Sequence, residues 1–230
     1  MDPTLIIDAD DTLWENNIHY EAAIDHFLEL VGERDKSKKQ VRDLLMDVER
    51  ANVRVHGYGT NSFRQSLLDT LERTNDGPPT GRELRTIDEL THGIANMTLD
   101  FLPGVKGTLP RLREHFRLIL FTKGDLDEQQ SKVDRSGVTQ FFDHVELTTE
   151  KDKQAYVRLI EHYRLDPVKT WMVGNSPRSD INPAIEAGLN AIFIPHPRTW
   201  ELEHEDVCED HPERLSILER FSDLLTHFTL

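Results

Sequence analysis

A short apolar run near the start of the chain, Leu5-Ile6-Ile7, stops in the carboxylates Asp8, Asp10 and Asp11, with Thr12 directly behind them. Like charges a few ångströms apart repel, and burying them is costly unless a proton or a cation compensates. The end of this run therefore calls for a divalent metal, a reacting group, or both. Three further polar elements share its setting. Thr122 ends an apolar run, a lysine (Lys151 or Lys153) opens a helix, and Gly174-Asn175-Ser176 ends another apolar run and is followed by Asp180. Together they offer a nucleophile, an acid/base, an anion-binding hydroxyl, a fixed cation and metal-binding oxygens. That inventory suits phosphoryl transfer, where positioning and charge neutralisation supply most of the catalysis. Singly, each has a plainer reading: aspartates cap helices and shape turns, threonines end strands, and surface lysines are solvated.

The elements that must position these groups read as alternating strands and helices. Residues 4–7, 117–121, 144–147, 170–173 and 191–194 are short apolar runs of strand type, and 126–136, 152–163 and 180–187 have helical periodicity, with Gly188 as the stop of the last. On the helix over 152–163, Tyr156, Leu159, Ile160 and Tyr163 share one face. Such alternation predicts an α/β fold, a Rossmann-like, doubly wound parallel sheet whose ligands bind beyond the carboxyl ends of the strands. Residues 14–100 break the rhythm. They carry helical patterns over 18–31, 38–53, 62–73 and 82–98, a loop at Asn75-Asp76-Gly77-Pro78-Pro79, and no convincing strand. An all-helical insertion (14–100) is expected within a core made of 1–13 and 101–230. The acidic stretch 201–210 is expected to be loop, and 212–230 a terminal helix.

The 230 residues suffice for a full core, and the formal net charge of −15 argues against an electrostatic grip on nucleic acid or anionic lipid. No run is long and apolar enough for a membrane span, and no signal-like segment opens the chain. Cys208 is the only cysteine, so no intrachain disulfide forms, which fits the cytoplasm. The composition does not set an oligomeric state. His19, His56, His196 and His204 show no metal-ligand spacing. Trp14 reads as a hinge or entrance residue, and Arg54, Tyr58 and Arg64 are the insertion's candidates for facing the site.

The four elements, in this order, resemble the motifs of the haloacid-dehalogenase superfamily, in the branch with a helical (C1-type) cap. An apolar strand followed by DxDx[TV] is matched at Ile6 to Thr12, an apolar strand ending in a hydroxyl at Leu118 to Thr122, a lysine at 151 or 153, and an acid or amide pair after a strand at Met172 to Asp180. The resemblance implies that Asp8 attacks phosphorus and becomes an aspartyl-phosphate, and that Asp10 protonates the leaving oxygen and then activates water. It implies Mg2+ held by Asp8, the Asp10 carbonyl, Asn175 and Asp180. It also implies phosphoryl oxygens held by Thr122 and the amides near Ala9 and Asp10. Lys123, from its place beside Thr122, is expected to contact the substrate. Lys151 is preferred over Lys153 as the neutralising cation, because it lies nearer the strand end. The chain departs from the pattern at Asn175, where many members carry aspartate; an amide oxygen ligates magnesium without charge.

The leading expectation is a magnesium-dependent phosphomonoester hydrolase of a small phosphorylated metabolite. A 2-haloacid dehalogenase would usually lack Asp10. A phosphomutase would keep both aspartates. A non-catalytic phospho-acceptor module of the receiver type would order its acids differently and be about half this length. Substrate identity is not readable from the insertion.

Overall fold

The computed structural model describes residues 3–32, 36–75, 77–208 and 211–230. Asp76 of the expected loop, Glu209 and Asp210 of the acidic stretch, and residues 1, 2 and 33–35 lie outside the described residues. The chain divides into two compact units, residues 1–17 with 99–230, and residues 18–98.

The first unit is built on a six-stranded sheet. Its strands are β1 (Thr4–Ile7), β2 (Arg117–Lys123), β3 (His144–Thr148), β4 (Thr170–Gly174), β5 (Asn190–Phe193) and β6 (Leu215–Ile217), in the order β3-β2-β1-β4-β5-β6. Every neighbouring pair is parallel. The alternation of side chains decides what each face buries. Leu5, Ile7, Leu118, Leu120 and Val173 face one layer, where Val105, Leu109 and Leu112 of α5 (Val105–Arg113), Val133 of α6 (Leu126–Ser136) and Leu224 of α9 (Asp223–His227) cover them. Ile6, Ile119, Phe121 and Met172 face the other, against Ala155, Tyr156 and Leu159 of α7 (Lys153–Tyr163) and Ala184 of α8 (Asn182–Glu186). Helices on both faces of a parallel sheet make the doubly wound α/β architecture that the alternating runs imply. β1 sits between β2 and β4, so the chain winds away from it in both directions. The crevice at such a switch point opens at the carboxyl end of β1, which is where Asp8 stands.

The second unit is helical: α1 (Asn17–Val31, whose first residue belongs to the sheet unit), α2 (Lys38–His56), α3 (Thr60–Thr74) and α4 (Gly81–Ala95). Ser37 and Thr80 begin α2 and α4 with reciprocal capping boxes to Gln40 and Glu83. Phe27, Leu45, Leu67, Leu71 and Ile87 form its apolar centre. Arg64 pairs with Asp88 inside this unit at 2.6 Å. No described helix is long and apolar enough to cross a membrane.

Two expectations are corrected. The tail is not one terminal helix. Leu215–Ile217 adds a sixth strand beside β5, with Leu218 N–H donating to Phe193 O at 2.9 Å; a 3-10 turn, Pro212–Arg214, precedes it, and the α-helix is confined to Asp223–His227. The edge of β5 offers unpaired backbone groups, and three residues of tail satisfy them. The helix expected over 180–187 starts earlier, as a π-helical turn, Pro177–Ile181, that runs on into the short α8, so Asp180 lies inside that turn and does not cap the helix. Ser176 is the capping residue, its hydroxyl accepting Ser179 N–H. The acidic stretch begins with the 3-10 turn Glu201–Glu203.

Candidate active site

β1 delivers Asp8 to the middle of the sheet's carboxyl edge, where Asp8 N–H still bonds Val173 O at 3.0 Å. The chain turns at once: Ala9 O accepts Leu13 N–H at 2.8 Å, and Asp11 takes the left-handed conformation (φ 59°) that Asp tolerates. The turn aims the Asp8 and Thr12 side chains at one another, the Thr12 hydroxyl lying 2.9 Å from Asp8 Oδ2.

Lys151 occupies the centre. Its ammonium is 2.5 Å from Asp8 Oδ1 and 2.8 Å from Asp180 Oδ1, and its side chain is 1 % exposed. The Phe121 ring lies 5.2 Å from the same nitrogen. Burial works against the lysine's charge, but Asp180 and Asp8 outweigh it and hold the ammonium above the usual lysine range. One ammonium between two buried carboxylates leaves an excess of negative charge. It falls on Asp8, whose carboxyl is pushed up to about 7 by burial first and by Asp180 second, against the pull of Lys151. Lys153, two residues on, is exposed.

Asp180 is engaged at both oxygens, Oδ1 by Lys151 and Oδ2 by Ser176 N–H at 3.0 Å. Asn175 is oriented by the 3.1 Å bond from its Nδ2 to Thr199 Oγ1, which turns Oδ1 to within 3.2 Å of the Thr12 hydroxyl. That hydroxyl has one proton, so it serves either Asp8 Oδ2 or Asn175 Oδ1 and leaves the other with a free lone pair. These are hard oxygen donors beside an uncompensated carboxylate charge, a set that fits a hard divalent cation such as magnesium.

Asp10 points to a different set of partners. Its oxygens accept Trp14 Nε1 at 2.8 Å, Gln129 Nε2 at 2.9 Å and Lys132 Nζ at 2.7 Å. Burial would raise its pKa, but Lys132 and these donors outweigh it and hold the carboxyl below its ordinary range. Trp14 is fully buried and thus serves as a donor to Asp10. Gln129 ties the second motif to the first, because its Oε1 accepts the Thr122 hydroxyl at 3.3 Å while its amide nitrogen holds Asp10. Gly124 admits that side chain: a Cβ there would meet Gln129 Nε2 at 2.7 Å. Gln129 and Lys132 carried no signal as isolated residues. Their three-residue spacing on α6, which places both on the helix face turned to the strand ends, was the available clue.

Lys123 does not stand free for an anion. It donates to Ser179 Oγ at 2.7 Å and Glu203 Oε1 at 2.6 Å, and lies 3.6 Å from Glu150. A second cluster joins Asp11, Glu15 and His196, with one possible ligand atom from each within 4.8 Å of the others. The Asp11 carboxyl is pushed up to about 7 chiefly by burial, and burial lowers the pKa of His196. Asp11 Oδ1 accepts the backbone N–H groups of Asn16 and Asn17 at 2.8 and 3.1 Å, so it secures the start of α1. His196, which has no metal-ligand spacing along the chain, reaches this cluster through the turn after β5.

A family model for haloacid dehalogenase-like hydrolases matches residues 3–188. Human N-acylneuraminate-9-phosphatase is 32% identical over 103 residues, 43% of this chain and 41% of that one. Glyceraldehyde 3-phosphate phosphatase of Pyrococcus furiosus is 27% identical over 131 residues, 52% of this chain and 55% of that one. The matched stretches thus span about two fifths to one half of these relatives. A haloacid dehalogenase-like family hydrolase from Xanthomonas campestris, a solved structure, is 26% identical and superposes with a TM-score of 0.85 over 99% of this chain and 95% of that one.

Proposed function

The chain belongs to the haloacid dehalogenase-like hydrolases, and from that premise we propose that it hydrolyses a small phosphate monoester through an aspartyl-phosphate at Asp8. The observation that carries the reading is the placement of Lys151 between Asp8 and Asp180 at the end of β1, with a second aspartate, Asp10, two residues beyond the nucleophile. The phosphatase names of the matched relatives support it. The helical unit, residues 18–98, is proposed as the part whose sequence selects the substrate.

In the first half-reaction an Asp8 oxygen bonds to phosphorus, the bond to the leaving oxygen breaks, and that oxygen takes a proton from Asp10. In the second, Asp10 takes a proton from water, the water oxygen bonds to phosphorus, and the Asp8 carboxylate leaves. Lys151 compensates the charge of Asp8 throughout, and Thr122 and the backbone amides near Ala9 and Asp10 receive phosphoryl oxygens. Asp10, held in its charged form beside Lys132, is in the state that the second half requires. To act as the acid of the first it must leave Lys132 and take up a proton. Magnesium would be held by Asp8, Asn175 and the main-chain oxygen of Asp10, beside Asp180, and when bound supplies positive charge to the phosphoryl group.

The test is phosphate release from p-nitrophenyl phosphate. Wild type turns over with magnesium, stops with a chelator and recovers when magnesium is restored, while Asp8→Asn is folded and inactive. Undiminished turnover in Asp8→Asn refutes the assignment.

A further inference from the structure

Glu203 comes from the turn beyond β5, in a stretch where Glu201, Glu205 and Asp206 are exposed, yet its own side chain is 12% exposed. Its Oε1 accepts Lys123 Nζ at 2.6 Å, and its Oε2 accepts the Ser176 hydroxyl at 2.6 Å and the Ser179 hydroxyl as well. The donors also close on one another. Ser176 Oγ accepts Ser179 N–H at 2.9 Å, and Lys123 bonds Ser179 Oγ at 2.7 Å. Burial opposes the charge on Glu203, but Lys123 and the two serines outweigh it and hold the carboxyl below its usual range.

The three donors share one place in the fold. Lys123 ends β2 beside Thr122, while Ser176 caps the turn that carries Asp180 and Ser179 lies inside that turn, directly before Asp180. That turn is π-helical, a rare and wide form frequent at functional sites, and the helix after it has only five residues to steady it. Ser176 N–H fixes Asp180 Oδ2, Asp180 Oδ1 holds Lys151, and Lys151 holds Asp8. Tyr156 braces the same turn, its hydroxyl donating to Ser179 O at 2.8 Å.

We propose that Glu203 is a positioning residue: by clamping Lys123 and the Ser176–Ser179 turn, it sets Asp180 against Lys151 and so keeps the ammonium on the nucleophile. This rests on the phosphate-ester reading above. Glu203 bonds to Lys123, Ser176 and Ser179, so it acts through them and not on the reacting atoms.

The experiment compares wild type, Glu203→Gln, Glu203→Ala and the pair Ser176→Ala with Ser179→Ala. Kinetics with p-nitrophenyl phosphate and magnesium are run below each protein's unfolding temperature, and a crystal structure of Glu203→Ala is determined. In Glu203→Ala and in the serine pair, kcat falls about 10- to 100-fold while KM moves less than about threefold. Glu203→Gln, which keeps an accepting oxygen, recovers part of the loss. Adding Glu203→Ala to the serine pair costs little more, since the three groups act as one clamp. In the crystal, the Asp180 carboxylate leaves Lys151. A lowered Tm with kcat unchanged, or a loss confined to KM, overturns the proposal, as does an Asp180–Lys151–Asp8 arrangement that persists without Glu203. If Glu203→Ala does not fold, the serine pair and Glu203→Gln decide the kinetics, and the serine pair supplies the crystal. A wild type that releases no phosphate refutes the reaction, and the crystal structure still judges the clamp.

Discussion

Gly174 and Asp180 share one small volume: a Cβ built on Gly174 would stand 2.3 Å from Asp180 Oδ2 and 2.4 Å from its Cγ. The carboxylate cannot simply retreat, because Lys151 and Ser176 N–H hold both of its oxygens. The last residue of β4 is therefore glycine for the sake of a side chain six positions later.

Gly174→Ala should drive Asp180 off Lys151. Overpacking of this kind costs about 1–3 kcal/mol. Phosphate release should fall at least about 100-fold, the scale for loss of a preorganised charged group. Turnover and thermal unfolding measured together check this. Near-normal turnover would mean that Asp180 is not needed where it stands.

Lys151→Met leaves Asp8 and Asp180 facing each other without a cation. Breaking a buried ion pair from one side destabilises by about 3–5 kcal/mol. The exposed Lys153, changed to Met, should stay within about 0.5 kcal/mol of wild type. Denaturant unfolding of the two variants checks the contrast, and turnover should vanish only in the first.

Lys132 keeps Asp10 ionised against the cost of burial. In Lys132→Met the Asp10 carboxyl should titrate higher than in wild type, because the cation that opposes the effect of burial is gone. Carbon NMR of the labelled carboxyl in both proteins measures it. An unmoved titration would show that Gln129 and Trp14 suffice.

Glu49, buried on α2, has its carboxyl pushed up to about 8 by burial and then by Glu21, against the pull of Arg42. Between the ordinary glutamate value and about 8, the folded state holds a proton that the unfolded state has lost. Raising the pH across that window therefore reduces stability. The favourable contribution is complete below the unfolded value and gone above about 8. Glu49→Gln should flatten the decline, gaining on wild type as pH rises from 5 to about 9. Thermal unfolding against pH reads this directly, and parallel curves would contradict it.

The sheet was legible where strands are apolar on both faces, as at Leu5-Ile6-Ile7 and 118–121, because burial on both sides leaves a continuous apolar run. β6 was not, because an edge strand of three residues carries no such run and Ile217 remains 61% exposed. The strand-end residues Asp8, Lys151 and Asp180 were legible because each follows an element whose end can be read. Glu203 was hidden among neighbouring acids, since nothing local separates a buried carboxylate from a solvated one. Lys123 was read as a substrate contact from its place beside Thr122, but its partner lies 80 positions away and only the fold brings it there.

The proposed reaction requires that Asp8 carry the phosphoryl group. Acid quenching during turnover of p-nitrophenyl phosphate with magnesium, followed by mass spectrometry of the peptide that contains Asp8, measures it directly. A base-labile phosphoryl adduct is expected on Asp8 in wild type and none in Asp8→Asn. Turnover without any adduct on that peptide, or with the adduct on another residue, would contradict it.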